Sequence, residues 1–170
     1  MAQLAITAIG ADQPGIVARV TGVLARRGAN LDDTSMTILG GHFAMMLLVD
    51  LDDPAGIEGD LLAATEELGL VVTARAVGPG HASAPPTHVL SVYGTDRPGL
   101  VASASQVLAE RMVNVTDLTT RVLDGAQHVY TMLFEIALPP GVTPEAIEEE
   151  LRAAIAGVDV TLRPLDAEIF

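Results

Sequence analysis

Cysteine, lysine and tryptophan are all absent from the 170 residues. Without cysteine there is no disulfide, no thiol nucleophile and no cysteine-ligated metal. Without lysine, all nine basic residues are arginine. They face 22 acidic residues, for a formal net charge of −13. The deficit is shared: ten acids against four arginines over residues 1–85, and twelve against five over 86–170. Neither half offers a basic face for phosphates, which argues against direct binding to nucleic acid or to an anionic membrane. Aromatics are only 3%, so stacking platforms for bases or sugars are scarce. Apolar runs such as Phe43–Val49 are far too short to span a bilayer. The opening Met1-Ala2-Gln3-Leu4 carries no basic stretch, so no signal peptide is expected and the default address is the cytoplasm.

What the chain does have is apolar residues, 49% of the total, enough for a folded core, and a repeat. Residues 10–31 read GADQPGIVARVTGVLARRGANL and residues 94–115 read GTDRPGLVASASQVLAERMVNV. At an offset of 84, eleven of these 22 positions are identical. Self-similarity of this kind marks a duplicated structural unit. Between the copies lies Gly78-Pro79-Gly80-His81-Ala82-Ser83-Ala84-Pro85-Pro86, with nothing to bury, which reads as a tether. The expected organisation is one module over 1–78, a linker over 79–86 and a second module over 87–170.

Within each copy the pattern predicts βαββαβ. Leu4–Ile9 and Val89–Tyr93 alternate apolar and polar residues, as half-buried strands do. Asp-x-Pro-Gly follows, at Asp12–Gly15 and Asp96–Gly99, and is a helix start signal. The next apolar residues are Ile16, Val17, Val20, Val23 and Leu24, matched by Leu100, Val101, Ala104, Val107 and Leu108. They recur at the spacing of one helix face. Asn30–Leu39 and Asn114–Leu123 suit strands. Gly40-Gly41 and Asp124-Gly125 suit hairpin turns, leading into apolar strands at Phe43–Leu51 and Val129–Leu138. Asp53-Pro54 and Thr143-Pro144 are predicted to start second helices, with apolar faces Ile57, Leu61, Leu62, Leu68 and Ile147, Leu151, Ala154, Ile155. Final strands are expected at Leu70–Val77 and Val158–Leu165. The fold class is therefore α+β: two ferredoxin-like modules, each a four-stranded antiparallel sheet with two helices on one face.

The Asp-x-Pro-Gly turn is the strongest candidate for chemistry. It is expected to place Gly15 and Gly99 in a first helical turn, where N–H groups lack intrahelical acceptors. Gly leaves those donors open, and the helix start favours a carboxylate. Asp12 and Asp96 either cap the turn or attract the ammonium of the same ligand. Asp-Pro-Gly also forms plain strand-to-helix turns, so the residues alone leave both readings open. Asn30 and Asn114 open the second strand of each copy. Their amides donate and accept, which suits a zwitterion, or they are turn residues tolerant of a left-handed conformation.

Other constellations point away from catalysis. His42, His81, His88 and His128 have no metal-ligand spacing. Ser35, Ser91, Ser103 and Ser105 lie in no nucleophile-elbow pattern. Gly78-Pro79-Gly80 lacks the Lys and the helix of a phosphate loop. Glu148-Glu149-Glu150 reads as a solvated helix face, and Met45, Met46 and Met132 as core filler. No acid–base pair or activated nucleophile stands out, so the expectation is a protein that is not an enzyme and needs no metal or cofactor.

A βαββαβ module with Asp-x-Pro-Gly-(Ile/Leu)-Val after the first strand, and Asn opening the second, resembles an ACT domain. The resemblance covers both copies. A tandem pair of this length resembles the glycine cleavage system transcriptional repressor family. The resemblance implies regulatory modules that bind amino acids and pair side by side through the edge of the second strand and first helix. Ligand then sits between one module's first loop and the opening of its neighbour's second strand. Carried onto this chain, the binding residues are Gly10, Asp12, Pro14, Gly15, Ile16, Val17 and Asn30, with Gly94, Asp96, Pro98, Gly99, Leu100, Val101 and Asn114. The pairing is expected within a chain or in a homodimer. The implied ligand is a small amino acid, glycine or serine first, and the implied action is through a regulatory protein partner, not through direct DNA contact. A subunit or scaffold docking on an amino-acid metabolic enzyme is the alternative. The copies differ where Gln13 becomes Arg97 and Gly28 becomes Met112.

Overall fold

A computed structural model describes residues 2–78, 80, 84–123 and 129–165. The chain separates into two compact units, Met1–His81 and Ala82–Phe170. Part of the expected tether (Pro79 and residues 81–83) lies outside the described residues, as do the expected Asp124-Gly125 turn, His81 and His128.

The first unit runs β1 (Ala2–Ala11), α1 (Ile16–Arg26), β2 (Asn30–Leu39), β3 (His42–Leu51), α2 (Ile57–Thr65) and β4 (Val71–Ala76), with a short 3-10 turn at Glu66–Leu68. The second repeats it: β5 (His88–Thr95), α3 (Leu100–Glu110), β6 (Asn114–Leu123), β7 (Val129–Ala137), α4 (Pro144–Ala154) and β8 (Val158–Pro164). Each sheet is antiparallel, in the order β2-β3-β1-β4 and β6-β7-β5-β8.

Alternation decides which face is covered. Leu4, Ile6 and Ala8 of β1 and Phe43, Met45, Leu47, Val49 and Leu51 of β3 point to the helix side and are buried with Ile16, Val20, Val23 and Leu24 of α1. Leu90, Val92, Met132, Phe134 and Ile136 do the same beneath α3 and α4. Each of these side chains larger than alanine contributes about 1.5–3 kcal/mol of apolar burial. Within each module an arginine at the end of the first helix ties down the second. Arg27 meets Asp60 at 2.7 Å. Arg111 grips the Glu150 carboxylate through Nε at 2.9 Å and through Nη2.

Several expectations give way. Asp53-Pro54 does not begin α2; the Asp53 carboxylate accepts from Ala55 N–H at 3.0 Å, closing a local turn, and Gly56 in a left-handed conformation precedes the helix. Thr143 does cap α4, accepting from Ala146 N–H at 3.3 Å with Pro144 in the first helical turn. Leu62 is exposed, and Thr65 takes the buried position by donating its hydroxyl to the Leu61 carbonyl. Ala154 is also exposed. Met45 and Met132 are core, but Met46 is half exposed, because its strand position faces the side of the sheet away from the helices. Glu148 and Glu150 have specific partners, so within the acidic triplet only Glu149 is an exposed helix residue.

The two outer edges of each sheet differ. On the β4 side, Glu58 accepts from Ala74 N–H at 2.8 Å, and on the β8 side Glu148 accepts from Leu162 N–H at 2.7 Å. On the other side, every residue of β2 and residues 114–122 of β6 are exposed. Both strands carry a bulge near their start, between Leu31 and Asp33 and between Val115 and Asp117. A bulge limits indiscriminate edge pairing.

Candidate functional site

The site is built where β1 hands over to α1. Asp12 N–H donates to the Gly41 carbonyl at 2.9 Å, fixing the loop against the β2–β3 hairpin. Gly15 then takes φ +96°, and Gly99 takes φ +92°. An added Cβ at either would meet nothing within 4 Å, so backbone conformation alone calls for glycine there. Both stand at the cap position, not inside the first turn as expected. Their carbonyls accept from Arg19 N–H at 3.0 Å and Ser103 N–H at 2.9 Å. The open donors therefore belong to the next residues, Ile16, Val17 and Ala18 and their counterparts Leu100, Val101 and Ala102. As cap residues, Gly15 and Gly99 have no side chain with which to satisfy those donors. Asp12 and Asp96 lie three residues before the cap, outside the position from which a carboxylate reaches those N–H groups.

A hollow of about 490 Å³ opens beside the second turn, lined by Asp96, Arg97, Pro98, Gly99, Leu100, Val101, Ala102 and Tyr130. A matching hollow of about 460 Å³ lies beside the first, against Asp12, Gln13, Gly15, Ile16, Val17, Ala18, Met36 and Phe43. The loop is held by its second residue in both. Gln13 Nε2 donates to the Leu68 carbonyl at 2.9 Å, and Arg97 Nη2 donates to the Ala156 carbonyl at 2.7 Å. Gly10 and Gly94 lie behind the hollows and do not line them. A Cβ at Gly10 would come within 2.5 Å of Leu70 Cδ2, and one at Gly94 within 2.9 Å of Val158 Cγ1. Their small size admits the strand that follows the second helix. Pro14 is exposed and also outside the first lining.

The asparagines are elsewhere in their own modules. Asn30 pairs with Asp50, which pairs with Gln3, whereas Gly10 pairs with Phe43. Seven strand positions at about 3.3 Å each separate the two levels by roughly 23 Å. Asn114 sits opposite Ala137, and Gly94 opposite Tyr130, in the same relation. Asn30 Nδ2 donates to Asp32 Oδ1 at 3.1 Å, and Asp32 also accepts from Gln3 Nε2 at 3.2 Å. An amide retains a second N–H and a carbonyl oxygen beyond such a bond.

Motif reading missed Met36, Phe43 and Tyr130. The signal was present as register: a tight Gly40-Gly41 turn sets Phe43 opposite both Ile38 and Gly10. Among the described residues no group of three or more His, Asp or Glu is placed to hold a metal. No described helix is long and apolar enough to cross a membrane. His88 Nδ1 lies 2.9 Å from Thr87 Oγ1, at the start of β5. The shifted carboxyls lie on α4, away from the hollows. Burial pushes the Glu148 carboxyl up, but Leu162 N–H and Arg152 outweigh it and hold it below its ordinary value. Glu150 is lowered by its hydrogen bond with Arg111, whose own value is raised in return.

The family model for the ACT domain matches residues 2–75 and 87–163, nearly the whole of both modules. The chain belongs to the ACT domain family. A single ACT module of this chain is similar to a UPF0237 protein of Methanopyrus kandleri, 45% identical over 76 residues, 42% of this chain and 84% of that protein. The tandem is similar to the glycine cleavage system transcriptional repressor of Escherichia coli, 30% identical over 121 residues, 69% of this chain and 64% of the repressor. Among solved structures, an unknown protein from Galdieria sulphuraria superposes with a TM-score of 0.79 at 27% identity, over 96% of this chain and 98% of that one. That match spans both modules of this chain and not one alone.

Proposed function

We propose that this chain is a non-enzymatic regulatory protein that senses a small amino acid through its ACT modules and acts on a regulatory protein partner. The carrying observation is the repeated hollow. Twice, a left-handed glycine exposes the N–H groups of a helix start beside an aspartate. Those donors suit a carboxylate, and the aspartate suits an ammonium group. Glycine or serine is the first candidate, a choice supported by likeness to the Escherichia coli repressor. Each asparagine serves the hollow of a neighbouring module, brought there by pairing of the β2 and β6 edges within a chain or in a homodimer. The open β2 and β6 edges, against glutamate-covered β4 and β8, favour that side for pairing. A cytoplasmic location fits a sensor of free amino acids. With a charge of −13, the protein works through a partner and not by gripping DNA phosphates.

A ligand the size of glycine is bounded at roughly −7.5 kcal/mol, a few micromolar at best. Tens of micromolar to millimolar is the expected range. Saturation at about 100 times Kd would stabilise each site by roughly 2.7 kcal/mol, or several degrees in Tm. A thermal-shift panel over the twenty amino acids tests the reading. A rise confined to small amino acids supports it, and a flat panel at millimolar concentration defeats it. Co-purification with a transcription factor favours this reading, whereas a stoichiometric metabolic enzyme favours a docking subunit.

A further inference from the structure

The two hollows share their helix-start donors and their aspartate but not the rest of their lining. Phe43 and Tyr130 occupy one register position, opposite Gly10 and Gly94 respectively. Phe43 is fully buried at 2% exposure, whereas Tyr130 is half-buried, lines the second hollow and differs by carrying a phenol hydroxyl. Gln13 and Arg97 also match, each tied to the carbonyl of the turn before the last strand. They do the same structural work, yet Arg97 adds a cation and Gln13 does not. Met36 adds an apolar side chain to the lining of the first hollow. The first hollow thus offers one negative charge, the neutral Gln13 amide already tied to the Leu68 carbonyl, and an otherwise apolar wall. The second offers balanced charge, a guanidinium with several N–H donors, and a hydroxyl.

Backbone donors and aspartate recognise the α-carboxylate and ammonium that every amino acid carries, so they cannot discriminate between amino acids. Discrimination falls to the residues that differ. An apolar wall disfavours a side-chain oxygen, which loses its water without a partner. A guanidinium and a phenol supply that partner. Resting on the amino-acid-sensing reading, we infer that the two modules select different ligands. The first takes a side chain that is hydrogen or a small apolar group. The second takes one bearing an acceptor oxygen, a hydroxyl or carboxylate, with Arg97 and Tyr130 as the specificity-determining residues.

The test is a site-resolved titration of the full chain by ¹H–¹⁵N NMR, with the Val17 and Val101 amides reporting the two modules separately. The probes are alanine, serine and aspartate. Val101 is expected to saturate at a tenfold or more lower concentration of serine or aspartate than of alanine, and Val17 is expected to rank alanine first. In Arg97→Gln/Tyr130→Phe the Val101 preference should collapse to the order shown by Val17, with Val17 itself unchanged as the internal control for folding. Gln13→Arg should move the Val17 order toward aspartate. One shared ranking in both modules, or a double variant that keeps the wild-type preference, overturns this inference and leaves amino-acid sensing standing. No saturable shift in either module with any of the twenty amino acids overturns the sensing reading, and the inference with it.

Discussion

Glu148 Oε1 accepts the Leu162 N–H at 2.7 Å, from α4 onto the free edge of β8. Glu58 and Ala74 make the equivalent contact at 2.8 Å in the first module. Glu148 also pairs with Arg152 at 2.8 Å and is only 21% exposed. Its carboxyl is held below the ordinary value of 4.5. A depressed folded-state value means stability present above the unfolded value and lost as pH falls through the folded one. Glu148→Gln keeps an acceptor but loses the charge, and should cost about 1 kcal/mol at pH 7. Denaturation of wild type and variant across pH 7 to 3 checks this. The gap should begin to narrow as pH falls below 4.5 and keep narrowing as the folded-state carboxyl is protonated, and a gap that does not narrow at all down to pH 3 would show that charge is not the cause.

Gly15 and Gly99 hold positive φ in open space. Gly15→Ala and Gly99→Ala should therefore each cost about 1–2 kcal/mol through backbone strain alone. Lying in separate modules, the two losses should add. Gly10→Ala differs in kind, since its Cβ meets Leu70 at 2.5 Å. It should cost about 1–3 kcal/mol by forcing the Leu70 side chain aside. Chemical denaturation of the three variants measures this, and a neutral Gly15→Ala would contradict the left-handed cap.

How the sequence conveyed the fold follows from what each signal depends on. The Asn30–Leu39 and Asn114–Leu123 strands are bounded as predicted, because β-branched and apolar residues signal a strand locally. Asp53-Pro54 misled, because an aspartate two residues before an N–H can close a turn as readily as it caps a helix. Met46 and Leu62 misled because apolar character does not say which face is covered. Of the site, Asp12, Gly15, Ile16 and Val17 were legible from a motif that occurs twice. Phe43 and Tyr130 were not, since they reach the hollow only through cross-strand register. Asn30 and Asn114 were legible as residue types, but their distance from the hollow in their own modules depends on topology.

The β2 and β6 edges carry exposed Leu31, Met36, Ile38, Val115, Leu118 and Val122. If these edges pair, the amides facing away from β3 and β7 gain hydrogen-bond partners. Hydrogen exchange on the full chain should then show protection at every second residue or so beyond that given by β3 and β7. Ile38→Lys should abolish it by burying a charge at the pairing edge. Rapid exchange of all outward amides in the wild type would contradict edge pairing.

In the proposed sensor, an amino acid is held between one module's helix start and another module's asparagine. Calorimetry with glycine and serine on wild type, Asn30→Ala and Asn114→Ala addresses it most directly. The expected Kd lies between tens of micromolar and millimolar, weakened in each variant by about 1–3 kcal/mol as a direct hydrogen-bond partner is lost. Unchanged affinity in both variants, or no heat from either amino acid at millimolar concentration, would contradict it.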